Sequence, residues 1–125
     1  MPYEGAGKVL IVDDDEDHLK LLGIGLRSAG IGSEKTIKSN EYGRAVEILN
    51  NEPIKGLVVD GLGGWWQSLV ELAIGVGVPP QAIVLCSLSA SDRLYSSIAR
   101  DLGIRSVSKQ LPGFENEIAR IVSGW

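Results

Sequence analysis

Five short apolar runs alternate along the chain with five stretches of helical periodicity, and this alternation constrains the fold more than any other feature. The runs are the predicted strands, at residues 8–12, 34–39, 57–59, 83–86 and 106–108. Each run is followed by apolar residues at spacings of three and four, as in an amphipathic helix. Such alternation predicts a mostly parallel sheet with helices on both faces.

The polarity of the predicted strands indicates their order in the sheet. Strands one, three and four are apolar throughout, which is typical of central parallel strands. Strands two and five alternate with polar residues, as edge strands do. This pattern fits the flavodoxin-like order 2-1-3-4-5. We therefore predict one α/β domain over residues 1–125, a flavodoxin-like (βα)5 doubly wound sheet in three αβα layers, with its core at 8–123 and an N-terminal extension at 1–7.

Apolar residues at helical spacing set the predicted inward faces of the helices. These faces carry Leu19, Leu22, Leu26 and Ala29 in the first helix, Tyr42, Ala45, Val46 and Leu49 in the second, Trp65, Leu69, Leu72, Ala73 and Val76 in the third, Leu94, Ile98 and Leu102 in the fourth, and Phe114, Ile118, Ile121 and Val122 in the last. Asn40 is the predicted N-cap of the second helix, and residues 89–92 resemble a capping box for the fourth. Of the adjacent Trp65 and Trp66, the spacing places only one inward. His18 is predicted to be exposed.

Charge and composition argue against several classes of partner. The net charge is −4 and the pI is about 4.9, which argues against a surface for nucleic acid or anionic membranes. Apolar stretches fall short of the ~20 residues that a membrane helix needs. Residues 1–7 do not resemble a signal peptide. The single cysteine, Cys86, forms no internal disulfide and is predicted to be an inert core residue. We expect a cytoplasmic protein.

Groups suited to phosphate chemistry follow four of the five predicted strands. Asp13 and Asp14 follow strand one, Asp60 follows strand three, Ser87 follows strand four, and Lys109 follows strand five. Parallel strands bring their carboxyl ends to one edge, where doubly wound sheets bind ligands. Carboxylate oxygens suit Mg²⁺, an ammonium group neutralises phosphoryl oxygens, and a carboxylate can attack phosphorus. The set predicts a phosphoryl-transfer site. The neighbouring Asp15 is interpreted as a helix-start charge favoured by the helix dipole.

This arrangement resembles the receiver domain of two-component response regulators. The resemblance rests on Val-Asp-Asp at residues 12–14, Val-Val-Asp at residues 58–60, Ser87 and Lys109, and it extends over residues 8–123. It implies a stand-alone signalling domain that receives a phosphoryl group from a sensor histidine kinase or a phosphotransfer protein. With the chain ending at Trp125, the signal is expected to pass by protein–protein contact.

The resemblance also implies a role for each site residue. Asp60 is the expected phosphoacceptor and a ligand of Mg²⁺. Asp14 and the backbone carbonyl of Leu62 are expected to bind the metal directly, and Asp13 mostly through water. Ser87 is expected to hydrogen-bond the phosphoryl group, and Lys109 to pair with it.

Several positions depart from the receiver pattern. Gln110 replaces the usual cis-proline, so the peptide bond before it is expected to be trans. Ser106 stands where the family often has an inward-swinging aromatic residue, and Leu88 is bulkier than the usual Ala or Gly. The loop at residues 61–66 carries glycines and two tryptophans in place of Met-Pro.

Two alternatives remain open at this stage. The first is a degenerate receiver-like interaction module that is not phosphorylated, which the four departures favour. The second is a haloacid-dehalogenase-like phosphatase, because Asp13 and Asp15 superficially match the nucleophile and acid pair of that class.

Overall fold

A five-stranded sheet and five α-helices make up the computed structural model, which describes residues 7–61, 64–87 and 93–125. The strands are β1 (Lys8–Val12), β2 (Thr36–Ser39), β3 (Ile54–Val59), β4 (Ile83–Ser87) and β5 (Arg105–Ser108). The helices are α1 (Glu16–Ser28), α2 (Tyr42–Asn51), α3 (Trp66–Gly75), α4 (Arg93–Leu102) and α5 (Phe114–Ser123). Within these ranges, each helix is too short or too polar to cross a membrane.

The strand order is β2-β1-β3-β4-β5, and every pairing is parallel. This confirms the predicted flavodoxin-like topology. β1, β3 and β4 are almost wholly buried, whereas β2 and β5 each expose part of their length. The chain reverses its direction of winding between β1 and β3, and ligand sites of doubly wound sheets lie beyond the strand ends at that point.

Alternate side chains of the strands belong to two apolar clusters, one on each face of the sheet. In β1, Leu10 and Val12 belong to the cluster under α2, α3 and α4. Val9 and Ile11 belong to the cluster under α1 and α5. This alternation follows from the period of two in an extended strand. The result is the predicted three-layer arrangement, with the sheet between two layers of helices.

The helices α1 and α5 approach each other closely at Gly25. A Cβ atom added to Gly25 would lie only 2.8 Å from the backbone oxygen of Glu115. Only a residue without a side chain allows this backbone approach. The contact holds the second half of α1 against the start of α5, and both helices begin at the carboxyl edge of the sheet.

The predicted inward faces of α3 and α4 are wrong at their first residues. Trp66 is the buried tryptophan and Trp65 is exposed, because the buried face of α3 passes through Trp66, Leu69 and Val70. As predicted, only one of the two faces the core. In α4, Leu94 is exposed and the buried stripe passes through Tyr95, whose ring packs on Trp66 with centroids 5.6 Å apart.

The prediction of Asn40 as an N-cap is also wrong. The helix α2 has Glu41 at its N-cap, and the Asn40 amide donates instead to Glu16 Oε1 at 2.8 Å. Asn40 therefore joins the loop after β2 to the start of α1. The predicted capping box at residues 89–92 lies outside the described residues.

Candidate functional site

The ends of β1, β3, β4 and β5 place four of the predicted site residues side by side. Parallel register aligns Val12 with Val59, so the residues that follow them, Asp13 and Asp60, are neighbours. The backbone N–H of Asp60 donates to the carbonyl of Val12 at 2.9 Å. On the other side of the site, the backbone N–H of Lys109 donates to the carbonyl of Ser87 at 3.1 Å. Ladder hydrogen bonds therefore fix the backbone of the site.

Three carboxylates converge at this edge. Asp13, Asp14 and Asp60 each offer an oxygen, and these oxygens lie within 4.8 Å of one another. Asp13 is buried, Asp60 is partly buried and Asp14 is exposed, so the cluster opens to solvent on one side. An all-oxygen donor set with one open side fits Mg²⁺, which keeps several of its waters. The predicted fourth ligand, the carbonyl of Leu62, lies outside the described residues.

Lys109 bridges two of these acids. Its Nζ atom lies 2.5 Å from Asp13 Oδ2 and 2.9 Å from Asp60 Oδ1. The side chain is only 3% exposed. Burial opposes its charge, but the hydrogen bonds to Asp13 and Asp60 outweigh this effect and raise the pKa of Lys109. The described chain has no cis peptide bond, so the bond before Gln110 is trans as expected, and Lys109 still points at the acids.

Burial disfavours the charged form of Asp13 by more than its hydrogen bonds favour it. Burial raises the pKa of Asp13, and repulsion from Asp60 acts in the same direction. The hydrogen bonds from Lys109 and from the backbone N–H of Asp15, the latter at 2.9 Å, oppose this but do not reverse it. A carboxylate in this position gains from additional positive charge nearby. The electrostatics of Asp13 therefore agree with the choice of oxygen ligands in favouring a bound cation.

The Asp15 side chain caps helix α1 and is not part of the acid cluster. It is the N-cap of α1, and its Oδ1 accepts the backbone N–H groups of Asp17 at 2.9 Å and of His18 at 3.4 Å. This use agrees with the interpretation of Asp15 as a helix-start charge, although it lies just before the first turn. It also weakens the phosphatase alternative, which needs Asp15 as a catalytic acid beside Asp13.

His18 lies in the site, and the prediction that it is an exposed side chain is wrong. Its Nδ1 atom lies 2.9 Å from Lys109 Nζ, and its side chain is 27% exposed. A sequence signal for this position exists, because His18 precedes Leu22 by four residues and Leu26 by eight. These spacings continue the buried stripe of α1 to its first turn. A stripe defined by apolar residues alone does not include this polar first member.

Ser87 forms the wall of the site next to the loop after β3. It is buried at the end of β4, and a Cβ atom added to Gly61 would lie 2.7 Å from its Oγ. The absence of a side chain at Gly61 therefore allows its backbone to lie close to the serine hydroxyl. Trp66 packs on Tyr95, and Trp65 packs on Tyr42, each with ring centroids 5.6 Å apart.

Ser106 in β5 and Cys86 in β4 lie on strands that lead into the site. Ser106 is exposed on β5. Because it is a serine, this position has no aromatic ring that could swing toward the site. Cys86 is buried, and burial raises the pKa of its thiol to about 12, which keeps the thiol protonated and inert as predicted. Leu88 and Gly63 lie outside the described residues.

Comparison with known proteins identifies the fold. No family model and no curated protein sequence matches the chain. Among solved structures, it is similar to a response regulator from Thermotoga maritima, with a TM-score of 0.72 and 17% identity over 94% of this chain and 98% of that one. A sensor protein from Polaromonas sp. JS666 gives a TM-score of 0.69 and 20% identity over 94% of both chains.

A de novo designed Rossmann 2x3 fold protein is equally similar in shape, with a TM-score of 0.75 and 13% identity over 94% of this chain and 90% of that one. The structural neighbours thus include response regulators and a de novo designed protein. Architecture of this kind does not by itself carry a function. The features that bear on function are therefore the acids, Ser87 and Lys109 at the sheet edge.

Proposed function

We propose that the protein is a response-regulator receiver domain that accepts a phosphoryl group on Asp60 with Mg²⁺ and signals by protein–protein contact. One observation carries the proposal: the carboxylates of Asp13, Asp14 and Asp60 converge within 4.8 Å, and Lys109 Nζ lies 2.9 Å from Asp60 Oδ1. A nucleophile, a cation site and a fixed ammonium group thus meet at one point. These are the components that phosphoryl transfer to a carboxylate needs.

The reaction is a displacement at phosphorus. A carboxylate oxygen of Asp60 attacks the phosphorus of a phosphohistidine on a sensor histidine kinase or a phosphotransfer protein. A P–O bond forms to Asp60 as the P–N bond breaks, and the imidazole nitrogen leaves with the electron pair. Lys109 then pairs with a phosphoryl oxygen, and the hydroxyl of Ser87 donates to another.

Asp13, Asp14 and Asp60 are the residues that would hold Mg²⁺. The metal supplies positive charge that offsets the charge on the phosphoryl oxygens. Asp13 and Asp60 differ in their exposure, which suits them to different tasks. Asp13 is 1% exposed and fixed by Lys109 and the Asp15 N–H, whereas Asp60 is 13% exposed and open to a donor.

The signal arises from a change in the partners of Lys109. In the unphosphorylated protein the ammonium group is shared between Asp13 and Asp60. A phosphoryl group adds up to two negative charges and strong acceptor oxygens, so it draws the ammonium group toward itself. Lys109 lies in the connection from β5 to α5, and a shift there alters the surface that a protein partner contacts.

The degenerate interaction module is the second candidate. Its support is that Lys109 pairs with both Asp13 and Asp60, which offsets part of their charge without a metal. Gln110 and the exposed Ser106 add to this support, because both depart from the receiver pattern. Such a module keeps the fold and the ion pairs but neither binds Mg²⁺ nor accepts phosphate.

Beryllofluoride with Mg²⁺, which mimics an aspartyl phosphate, separates the two candidates. Trp65 is exposed and Trp66 is buried just beyond Asp60, so tryptophan fluorescence should report binding. The receiver predicts a saturable change that requires Mg²⁺ and is lost in Asp60→Ala. Asp101→Ala, which removes an exposed acid on α4, is the matched control and should respond as the native protein does. A native protein without a response and without Mg²⁺ binding would establish the module instead.

A further inference from the structure

Lys109 has a third neighbour besides the two acids, the imidazole ring of His18. An ammonium group has three N–H donors and no acceptor. Two donors point to Asp13 and Asp60, and the third faces His18 Nδ1 at 2.9 Å. Because the ammonium group can only donate, the facing nitrogen must accept, and the imidazole proton is then on Nε2. The next distances from this nitrogen, 3.8 Å to Asp13 and 3.6 Å to Asp15, exceed hydrogen-bond length.

The fold holds the imidazole ring in this position from two sides. His18 is the third residue of α1, whose first turn is fixed by the Asp15 cap, and helical side chains lean toward the N-terminus of their helix. At the start of α5, Phe114 packs against the imidazole edge-to-face, with ring centroids 6.0 Å apart. The close backbone contact of Gly25 with Glu115 keeps the two helices at this separation.

We propose that His18 is a positioning residue of the phosphoacceptor site, which accepts a hydrogen bond from Lys109 and holds the ammonium group for the phosphoryl group on Asp60. This inference rests on the proposed function. After transfer to Asp60, the donor that faced Asp60 Oδ1 is released and can turn to a phosphoryl oxygen. The bonds to Asp13 and His18 remain, so the ammonium group keeps its place while one donor changes partner.

A neutral acceptor suits this role better than a third carboxylate. His18 satisfies the third donor in a site where the lysine side chain is 3% exposed and water has little access. A carboxylate there would add negative charge beside the incoming phosphoryl group and oppose its approach. A hydrocarbon side chain there would leave a buried donor without an acceptor.

Two substitutions separate hydrogen bonding from packing. His18→Phe keeps a ring against Phe114 but has no acceptor nitrogen. His18→Asn loses the ring, but its carbonyl oxygen can occupy nearly the position of Nδ1. A purely structural role predicts that Phe is the milder change. The positioning role predicts that Asn restores what Phe removes.

The first measurement uses the unliganded protein and does not depend on phosphorylation. Nitrogen-15 NMR of the imidazole should show the neutral Nε2–H tautomer, and the ammonium protons of Lys109 should exchange slowly with water. Exchange should be faster in His18→Phe and slow again in His18→Asn. A protonated His18 in the native protein, or the same exchange rate in all three proteins, would overturn the proposal whether or not Asp60 accepts phosphate.

The second measurement tests the consequence for the phosphoryl site. With saturating Mg²⁺, His18→Phe should bind beryllofluoride about tenfold more weakly, since Lys109 is no longer held in place, and His18→Asn should recover most of the affinity. Equal affinity in the native protein and His18→Phe would contradict the role of His18 while leaving the receiver function intact. If the native protein binds no beryllofluoride, the proposed function fails, and with it the role of His18 toward a phosphoryl group.

Discussion

The Nζ atom of Lys109 lies 2.5 Å from Asp13 Oδ2, although 96 residues separate the two in sequence. The contact joins the end of β1 to the end of β5 across the whole functional edge of the sheet. Both side chains are almost fully buried, at 3% and 1% exposure. Burying a charged pair carries a considerable desolvation cost, and removing either member leaves the other charge buried without compensation. Lys109 and Asp13 therefore affect stability as well as function.

Lys109→Met tests how far the acids depend on the ammonium group. The substitution leaves two partly or fully buried carboxylates side by side, and such a loss costs about 3–5 kcal/mol of unfolding free energy. Mg²⁺ should restore more stability to this variant than to the native protein, because the metal no longer competes with the lysine. Urea unfolding with and without Mg²⁺ measures both effects.

The exposed Lys38 on β2 supplies the control for that experiment, because Lys38→Met should alter neither quantity appreciably. If Lys109→Met is as stable as the native protein and equally indifferent to Mg²⁺, the acids do not form a cation site.

Stability should also depend on alkaline pH through Lys109. Its pKa is raised in the folded protein above the ordinary value of 10.5, despite burial, by the hydrogen bonds to Asp13 and Asp60. The stabilisation from its charge is therefore fully present below pH 10.5 and is lost as the pH rises through the raised pKa. In metal-free buffer, the difference in unfolding free energy between the native protein and Lys109→Met should shrink above that pH. A constant difference would contradict the assigned hydrogen bonds.

The order of the sheet was predictable from sequence because burial on both faces demands an unbroken apolar run. Val9 to Val12 in β1 and Leu57 to Val59 in β3 are such runs, and only central strands tolerate them. The buried faces of the helices were less predictable. Trp65 and Trp66 are adjacent at the start of α3, and the tertiary contact of Trp66 with Tyr95 places Trp66 in the core.

The acids and Lys109 could be placed at one edge from sequence, because parallel strands share an edge. His18 could not be placed by the same rule, since it lies on a helix and not at a strand end. The buried stripe of α1 indicates that His18 faces inward, but its distance from Lys109 depends on the long-range packing of α1 against α5 at Gly25. The hydrogen bond to Lys109 follows from that packing.

Gly61→Ala tests the close passage of the loop over Ser87. The new Cβ would lie 2.7 Å from Ser87 Oγ and 3.3 Å from a ring carbon of Tyr95, so the hydroxyl must move. We expect weaker beryllofluoride binding, by about tenfold, because one hydrogen-bond donor to the phosphoryl mimic is misplaced.

Gly43→Ala is the matched control for this substitution. Gly43 lies in α2, and a Cβ there meets nothing within 4 Å. This variant should gain up to about 1 kcal/mol of stability and bind beryllofluoride normally. Normal binding by Gly61→Ala as well would show that the Ser87 hydroxyl contributes little.

The adjacent tryptophans should differ sharply in their contribution to stability. Trp66 is 1% exposed and packs in the core, so Trp66→Ala should cost about 3–5 kcal/mol. Trp65 is 61% exposed, and Trp65→Ala should cost less than 1 kcal/mol, about the value of its contact with Tyr42. Urea unfolding followed by circular dichroism measures both changes. The reverse ranking would mean that Trp65, and not Trp66, packs in the core.

Direct detection of phosphate on Asp60 tests the central claim most directly. The native protein, incubated with a small phosphodonor such as phosphoramidate and Mg²⁺, should gain the mass of one phosphoryl group. The modification should require Mg²⁺, disappear in Asp60→Asn, and map to Asp60 after borohydride reduction and peptide mass spectrometry. An unmodified native protein under these conditions, or a phosphoryl group that persists in Asp60→Asn, would contradict the assignment of Asp60 as the phosphoacceptor.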